Sequence, residues 1–482
     1  MNKKILFITP PYHCGVVEVA GRWMPLTFVY LAGAARRAGF HAEIYDAMTK
    51  NHGFRQIEAR IRESRPGIVA TSAITSTILD ALRIMALAKK VDSKIVTIIG
   101  GVHPTFCYEE VMEALPGATD FVVCGEGEET LEELLLALED KKDLEGVKGL
   151  AFRQDGRALR NEARDFIPDL DSLPQAWDLI EWKDYTYYVL PRSRLAVIST
   201  SRGCNHNCTF CSQQKFWKQT WRARDPEKVI EEIEVLHGQY GVNVFLIADE
   251  YPTKDRGRWE KFLDLLIAKG PLVYLLMETR AEDIVRDADI LGKYRQAGVI
   301  HIYIGVEATD QATLDLVKKD LKVEECQEAI RLIHEHGMIT ETSFVLGFPH
   351  ETKSSIERTL KLSRYYSPDF AHFLAITPWP YSDMYSELNG NIQLSDYSRY
   401  NLIDPVIKPR RMTLQEVDTA IADCYRKFYM AKLRELIHHP DPFQKRYMLT
   451  SMRLIMNSSF LIKKLGSLGK VPALVERYLS KL

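Results

Sequence analysis

The chain has 482 residues, 46% of them hydrophobic and 27% charged, with a formal net charge of −2. This length exceeds one ordinary core and predicts two or three domains of globular composition. The near-neutral total argues against nucleic acid as a partner. No apolar run reaches the roughly 18 residues that a membrane span requires.

At the start, Met1-Asn2-Lys3-Lys4 leads straight into the apolar run Ile5 to Ile8, which is too short for a signal-peptide core and reads as a strand. A cytoplasmic protein is expected, in which disulfides are rare. Strands are then predicted at Lys4–Thr9, Ala42–Tyr45, Gly67–Thr71, Ile95–Gly100 and Asp120–Cys124. Helical patterns lie between them, near Leu26–Ala38, Gln56–Glu63, Thr77–Lys90, Tyr108–Ala114 and Glu129–Leu138. Short, nearly all-apolar strands in this alternation predict a doubly wound domain of about five parallel strands over residues 1–145. Its ligand site belongs at the carboxyl ends of the strands. Those ends carry Thr71, Ser72 and Thr75, then Gly100, Gly101 and His103, then Glu126 and Gly127. Small residues there admit a ligand to the backbone, and hydroxyls and NH groups supply hydrogen bonds. No GxGxxG follows the first strand and no GxxxxGK[ST] occurs, which disfavours an ordinary dinucleotide or P-loop site.

Residues 146–190 read as an irregular linker running over a surface, with two prolines in Ile167-Pro168-Asp169-Leu170-Asp171-Ser172-Leu173-Pro174. Alternation resumes over residues 191–400. Strands are predicted at Leu195–Thr200, Val244–Ala248, Val273–Glu278, His301–Gly305, Thr340–Leu346 and Phe370–Thr377. Helices fit Pro226–Tyr240, Arg256–Ala268, Asp287–Ala297, Gln311–Val317, Val323–His336 and Lys353–Tyr366. Six such units predict a partial (β/α)6 barrel with its working residues where the strands end. Residues 401–482 read as helical, over Leu414–Glu435 and Pro442–Leu465. This last region carries 15 Lys and Arg against 7 Asp and Glu. That excess suits either a solvated helical face or peripheral contact with an anionic membrane surface.

Three of the eight cysteines fall together, in Arg202-Gly203-Cys204-Asn205-His206-Asn207-Cys208-Thr209-Phe210-Cys211. In a cytosolic chain such a cluster is metal-binding or catalytic. A structural zinc site wants four ligands, usually in two pairs. Here a fourth would have to be His206, which sits between the first two cysteines, or Cys326 or Cys424 from afar. A four-iron, four-sulfur cluster held by three thiolates instead leaves one iron open to bind and activate a substrate. Following the strand Leu195–Thr200, it would stand at the barrel mouth.

Cys204-x3-Cys208-x2-Cys211, with Phe210 before the last cysteine, resembles the motif of the radical S-adenosylmethionine superfamily. The resemblance implies a [4Fe-4S] cluster on Cys204, Cys208 and Cys211 whose open iron chelates S-adenosylmethionine. Reductive cleavage then yields a 5′-deoxyadenosyl radical that abstracts hydrogen from substrate. It further implies an external electron donor such as a ferredoxin or flavodoxin. Glu250 stands where the family's Gly-Gly-Glu motif ends, without the glycines, and would accept a hydrogen bond from the methionyl amine. Arg280 and Glu307 end the third and fourth strands and would contact the same cofactor, as would Phe210. Gly347-Phe348-Pro349-His350-Glu351-Thr352 resembles a further family turn, with His350 in place of a glycine.

A doubly wound domain ahead of such a barrel resembles the cobalamin-binding arrangement. This implies cobalamin at Thr71, Ser72, Thr75, Gly100, Gly101, His103, Glu126 and Gly127. The Asp-x-His-x-x-Gly motif that supplies a cobalt-binding histidine in many such proteins is absent, so the cobalamin would be base-off. Four stretches, YHCGVVEVAG, TSRGCNHNCTFCSQQKFW, FLIADEYPT and ITPWPYSD, resemble the anaerobic magnesium-protoporphyrin IX monomethyl ester oxidative cyclases of bacteriochlorophyll synthesis. That family builds the fifth ring by oxidising a propionate side chain, with the ketone oxygen taken from water. The resemblance implies a flat tetrapyrrole substrate, for which His372, Trp379 and Tyr381 are candidates; Trp379 and Tyr381 fit barrel-mouth packing equally. The chain departs from the family pattern at Cys14-Gly15-Val16-Val17 and at Tyr251, near presumed ligand loops. A radical C-methyltransferase of the same architecture, acting on a lipid, tetrapyrrole or natural product, therefore stays open beside the cyclase, as does a zinc-binding scaffold without activity.

Overall fold

The computed structural model describes residues 2–12, 20–436 and 439–456. The loop containing Cys14 lies outside the described residues for the most part, and so does the basic stretch from residue 457 to the end. No helix among the described residues is long and apolar enough to cross a membrane.

The first sheet has seven strands. They are β1 (Lys4–Ile8), β2 (His41–Tyr45), β3 (Ile68–Ser72), β4 (Val96–Gly100), β5 (Phe121–Val123), β6 (Leu150–Gln154) and β7 (Arg157–Arg160), in spatial order β2-β1-β3-β4-β5-β6-β7. The first five are parallel. Their side chains are apolar on both faces because helices cover both, and two separate hydrophobic clusters result. The order reverses between β1 and β3, which opens a crevice at their carboxyl ends. The last two strands are antiparallel and correct the expected count of about five. They come from the stretch that reads as an irregular linker. The rest of that stretch is buried rather than superficial: Ile167, Leu170 and Leu173 pack on Tyr30, while Trp177, Trp182 and Tyr185 enter the barrel core. Its prolines end regular structure without ending burial.

The second sheet is an open barrel of six parallel strands: β8 (Leu195–Ile198), then, after a small hairpin of β9 (Ser201–Gly203) and β10 (Trp221–Ala223), β11 (Val244–Ile247), β12 (Tyr274–Thr279), β13 (Val299–Glu307), β14 (Ile339–Leu346) and β15 (Phe370–Ala375). Side chains alternate between the two faces except where β13 shifts register against its neighbours. Phe245, Met277, Ile302, Ile304, Phe344 and Phe373 face the outer helices. Their neighbours Glu278, Tyr303, Glu341, Ser343 and His372 face the lumen. Helix starts follow local capping chemistry. Asp225 caps Pro226–Tyr240 by accepting from the Glu227 N–H, and Gly241 closes it at φ +69. The expected helix Asp287–Ala297 is shortened to Leu291–Gln296, and a separate helix that was not expected, Ala281–Arg286, precedes it. The chain turns between them around the buried Asp287 carboxylate, which accepts from the Tyr294 hydroxyl at 2.7 Å. The helix Leu414–Leu436 then lies against β15, with the Tyr429 hydroxyl donating to the Ala371 carbonyl at 3.2 Å.

Candidate active site

The two sheets turn their strand ends toward one another across a cleft of about 380 Å³. From the first domain it is lined by Thr71, Ser72, Gly100, Gly101, Glu126 and Gly127; from the barrel by Ser199, Ser201, Arg202, Gln213, Trp217 and Glu250. Six of the eight residues expected at cobalamin are therefore on one wall. Thr75 and His103 are outside that lining. Both are fully buried beside it, where the His103 Nδ1 lies 3.2 Å from the Thr75 hydroxyl.

The first-domain wall exposes bare backbone at four glycines, Gly100, Gly101, Gly125 and Gly127, among side chains such as Leu31, Thr71 and Ser72. Gly101 has φ +101, and a Cβ there would come within 2.5 Å of the Ala73 carbonyl. Gly125 has φ +86 with open space where a side chain would be. A wall of this kind accepts a large flat ligand close to the main chain. It fits the edge of a corrin, because the charged residues of that wall, Glu126 and Glu128, are paired with Arg202 and Arg222.

The opposite wall is built by the residues that flank the cysteine loop, Ser201 and Arg202 before it and Gln213, Phe216 and Trp217 after it, and the loop itself runs between β9 and the helix Ser212–Trp217. Cys208 is buried; Cys204 and Cys211 are half-buried; none is in a disulfide. Burial pushes the Cys204 thiol up, and the Cys211 thiol up to about 12. Among the described residues, these three sulfurs do not form a set close enough to share one ion. A cubane spaces its thiolates more widely than a single zinc does, so the donor set fits a cluster. Cys326 and Cys424 are buried in the hydrophobic core outside the barrel strands, which removes them as fourth zinc ligands.

The loop is fastened by the acidic pair that ends β11. Asp249, fully buried, accepts from the Thr200 N–H at 2.7 Å and from the hydroxyls of Thr200 and Ser201 at 2.6 and 2.7 Å. Burial pushes its carboxyl up to about 6 against these hydrogen bonds. Glu250 accepts from the Gly203 N–H at 3.1 Å and from the Trp217 indole N–H at 2.8 Å. Two donors leave carboxylate lone pairs free for a bound ammonium. Gly203 itself has φ +96, and a Cβ would meet the Thr220 carbonyl at 2.2 Å.

Arg280 is buried, with its guanidinium donating to the Lys319 and Asp320 carbonyls at 2.8 Å each and paired with Glu282. Glu307 sits where β13 loses register with β14, at φ +61, an uncommon conformation for a residue other than glycine. The bulge aims its carboxylate at Lys319 Nζ, 3.0 Å away, and at the Ser343 hydroxyl, 3.0 Å away. Phe210 packs among apolar residues with Lys319 Nζ 5.9 Å from its ring centre. Phe210, Glu307 and Trp379 share a second, small cavity of about 40 Å³. Tyr381 is buried, stacked on Phe106 at 4.9 Å, and accepts from the Thr75 hydroxyl. His372 is held by Glu341 within the barrel. Of the three substrate candidates, then, Trp379 is beside the cofactor residues, while Tyr381 and His372 are engaged elsewhere.

Several residues here escape a reading of motifs. Glu278 on β12 opens onto the lumen. Burial behind it, and then the Glu250 carboxylate, push it up to about 7. Arg202 and Arg222 pair directly across the β9–β10 hairpin. Both reach into the first domain: Arg202 donates to Glu126 at 2.8 Å and Glu128 at 2.7 Å, and Arg222 to Glu126 at 2.9 and 3.0 Å. Burial opposes the Arg202 charge, but Glu128 and its neighbours outweigh it and hold the pKa above the ordinary arginine range. The signal in the sequence is two facing arginines on a hairpin, which demand acidic partners, and Glu126-Gly127-Glu128 supplies them.

Comparison with known proteins places both walls. Residues 12–135 match the B12 binding domain family, and residues 198–363 match the Radical SAM superfamily. The chain is 37% identical to the anaerobic magnesium-protoporphyrin IX monomethyl ester cyclase of Rubrivivax gelatinosus, over 97% of this chain and 85% of that one. It is 38% identical to the protein of the same name from Cereibacter sphaeroides, over 94% of this chain and 75% of that one. In fold it is similar to the radical S-adenosylmethionine methyltransferase TsrM from Kitasatospora setae, solved with cobalamin and a [4Fe-4S] cluster. The TM-score is 0.69 at 17% identity, covering 88% of this chain and 89% of that one. With a B12-binding domain, a radical S-adenosylmethionine barrel and these relatives along nearly its whole length, the chain belongs to the anaerobic magnesium-protoporphyrin IX monomethyl ester cyclase family.

Proposed function

We propose that this protein is the oxidative cyclase of its family, closing the fifth ring of magnesium-protoporphyrin IX monomethyl ester. Its cofactors are a [4Fe-4S] cluster, S-adenosylmethionine and cobalamin, and an external one-electron donor of the ferredoxin or flavodoxin type completes the set. The observation that carries the reading is the shared cleft, which has the cobalamin-type loops on one side and, on the other, Ser201, Arg202, Gln213, Trp217 and Glu250, the residues that flank and fasten the cysteine loop. When bound, the three groups supply one-electron chemistry at an unactivated C–H bond.

The chain's own residues do the rest. Cys204, Cys208 and Cys211 would hold the cluster. Glu250 and Glu278 offer carboxylates to a cationic cofactor group, and Arg280 a guanidinium to an anionic one. Glu307 and Lys319 form a fixed ion pair at the edge of the lumen. Thr71, Ser72, Gly100, Gly101 and Gly127 would hold cobalamin by close backbone contact. Trp379 is the substrate candidate beside them, offering an apolar face to a flat ring. Closing such a site between two domains keeps water and stray reductants from reactive species.

The test is anaerobic. The full chain is reconstituted with iron, sulfide and hydroxocobalamin, then incubated with S-adenosylmethionine, reductant and magnesium-protoporphyrin IX monomethyl ester. A cyclised product, followed by mass, is expected. Cleavage of S-adenosylmethionine with an unchanged porphyrin would reject this substrate. Addition of a methyl group with formation of S-adenosylhomocysteine would establish a methyltransferase instead, the activity named for the structural relative.

A further inference from the structure

Beyond the cleft, the helices Val102–Phe106 and Tyr108–Ala114 follow β4 almost without interruption, with the Cys107 N–H bonded to the His103 carbonyl. His103, Cys107 and Glu110 are four and three residues apart, so helical periodicity puts them on one face. Among the described residues theirs is the only set of three His, Cys or acidic side chains whose ligand atoms all lie within 4.8 Å of one another.

The His103 ring is prepared on one side and bare on the other. The Thr75 hydroxyl donates to Tyr381 at 3.2 Å, so it receives the His103 Nδ1 proton, 3.2 Å away. That tautomer leaves the Nε2 lone pair as an acceptor, and Nε2 has no hydrogen-bond partner. The residue is 0% exposed. A bare acceptor at such depth is costly unless something fills it. Glu110 is also oriented from outside, by the Tyr397 hydroxyl donating to it at 3.2 Å. Metal-binding histidines and carboxylates are held by such outer partners. The three donors run from fully buried His103 through half-buried Cys107 to exposed Glu110, so an ion has a path from solvent.

We propose that His103, Cys107 and Glu110 form a zinc site, separate from the cysteine loop, with water in the fourth position. One imidazole nitrogen, one thiolate and one carboxylate suit zinc in tetrahedral geometry and exclude magnesium and calcium, which want oxygen alone. The ion fastens the turn after β4, whose Gly100 and Gly101 line the cleft, to the Tyr381–Tyr397 segment of the second domain.

The measurement is zinc by mass spectrometry of the metals in the purified, reconstituted chain, with affinity from competition against a chromogenic chelator. The wild type is expected to hold zinc in addition to iron and cobalt. The variant Cys204→Ala, Cys208→Ala, Cys211→Ala lacks the cluster motif and is expected to keep that zinc. Cys107→Ala loses it, and Glu110→Gln, altered only at an exposed side chain, binds at least tenfold more weakly. Tyr397→Phe, which removes an outer partner alone, weakens binding about tenfold. If the cluster variant loses the zinc, or if Glu110→Gln and Cys107→Ala hold it as tightly as the wild type, the proposal is wrong.

Discussion

On the first-domain wall of the cleft, Gly100, Gly101, Gly125 and Gly127 offer backbone and little else. On the barrel side, Glu250 in the cleft and Arg280 and Glu307 outside its lining are each held by at least two other groups. The first side receives by shape, through close approach at its glycines; the second orients by charge, through side chains that cannot turn away. A ligand that carries its own reactive metal needs room and close approach, whereas a loop that must acquire a cluster needs its donors pre-placed. The walls also differ in what damages them. Added bulk harms the first, and a lost partner harms the second.

The largest effect is expected on the barrel wall from Cys208→Ala. It should abolish S-adenosylmethionine cleavage, read as loss of deoxyadenosine, while circular dichroism stays that of the wild type. Next comes the opposite wall. Gly101→Val places a Cβ against the Ala73 carbonyl at a φ that valine avoids, and backbone strain of this kind costs about 1–3 kcal/mol before the clash is added. Cobalamin content after reconstitution should fall sharply with iron unchanged; equal cobalt would show that the bare backbone is not the binding surface.

Arg202→Met tests the joint between the walls. Glu126 and Glu128 are almost wholly buried, and removing a partner from a buried pair costs about 3 kcal/mol, softened here because Arg222 still reaches Glu126. Thermal unfolding should shift down, and cobalamin and cluster content should fall together. The smallest effect sharpens the charge argument. Burial and Glu250 raise the Glu278 carboxyl to about 7, so it is largely neutral below that pH and ionised above it. Binding of the cationic cofactor should tighten about tenfold as pH rises from about 6 to about 8, the span over which the ionised fraction of a single such carboxyl grows by that factor. Glu278→Gln should flatten that profile; an unchanged slope would place the titrating group elsewhere. The same shift has a sign for folding. A carboxyl raised in the folded state binds its proton more tightly there, so its contribution to stability falls as pH climbs from about 4.5 through 7.

Much of the architecture was legible because it is local. Short apolar strands such as Lys4–Ile8 can only be buried on two faces, and Asp225-Pro226 with Gly241 brackets a helix by capping chemistry alone. The cysteine spacing was legible for the same reason: three thiols within eight residues share one loop whatever surrounds them. The linker misled because prolines interrupt hydrogen bonding but say nothing of depth, and Leu170 and Trp177 are core residues between turns.

The chain itself determined the order of its parallel strands and most of the helices between them, and the cysteine loop, since periodicity, capping and spacing act over a few residues. Tertiary structure alone decided which strand ends face each other. It drew Thr75 to Tyr381 across 306 residues and so set His103 apart from the cleft. It also spent Glu126 on Arg202 and Arg222, and it turned Glu307 into the site through a bulge. These are contacts between distant residues, governed by charge compensation and packing in a shared interior, and no local pattern records them.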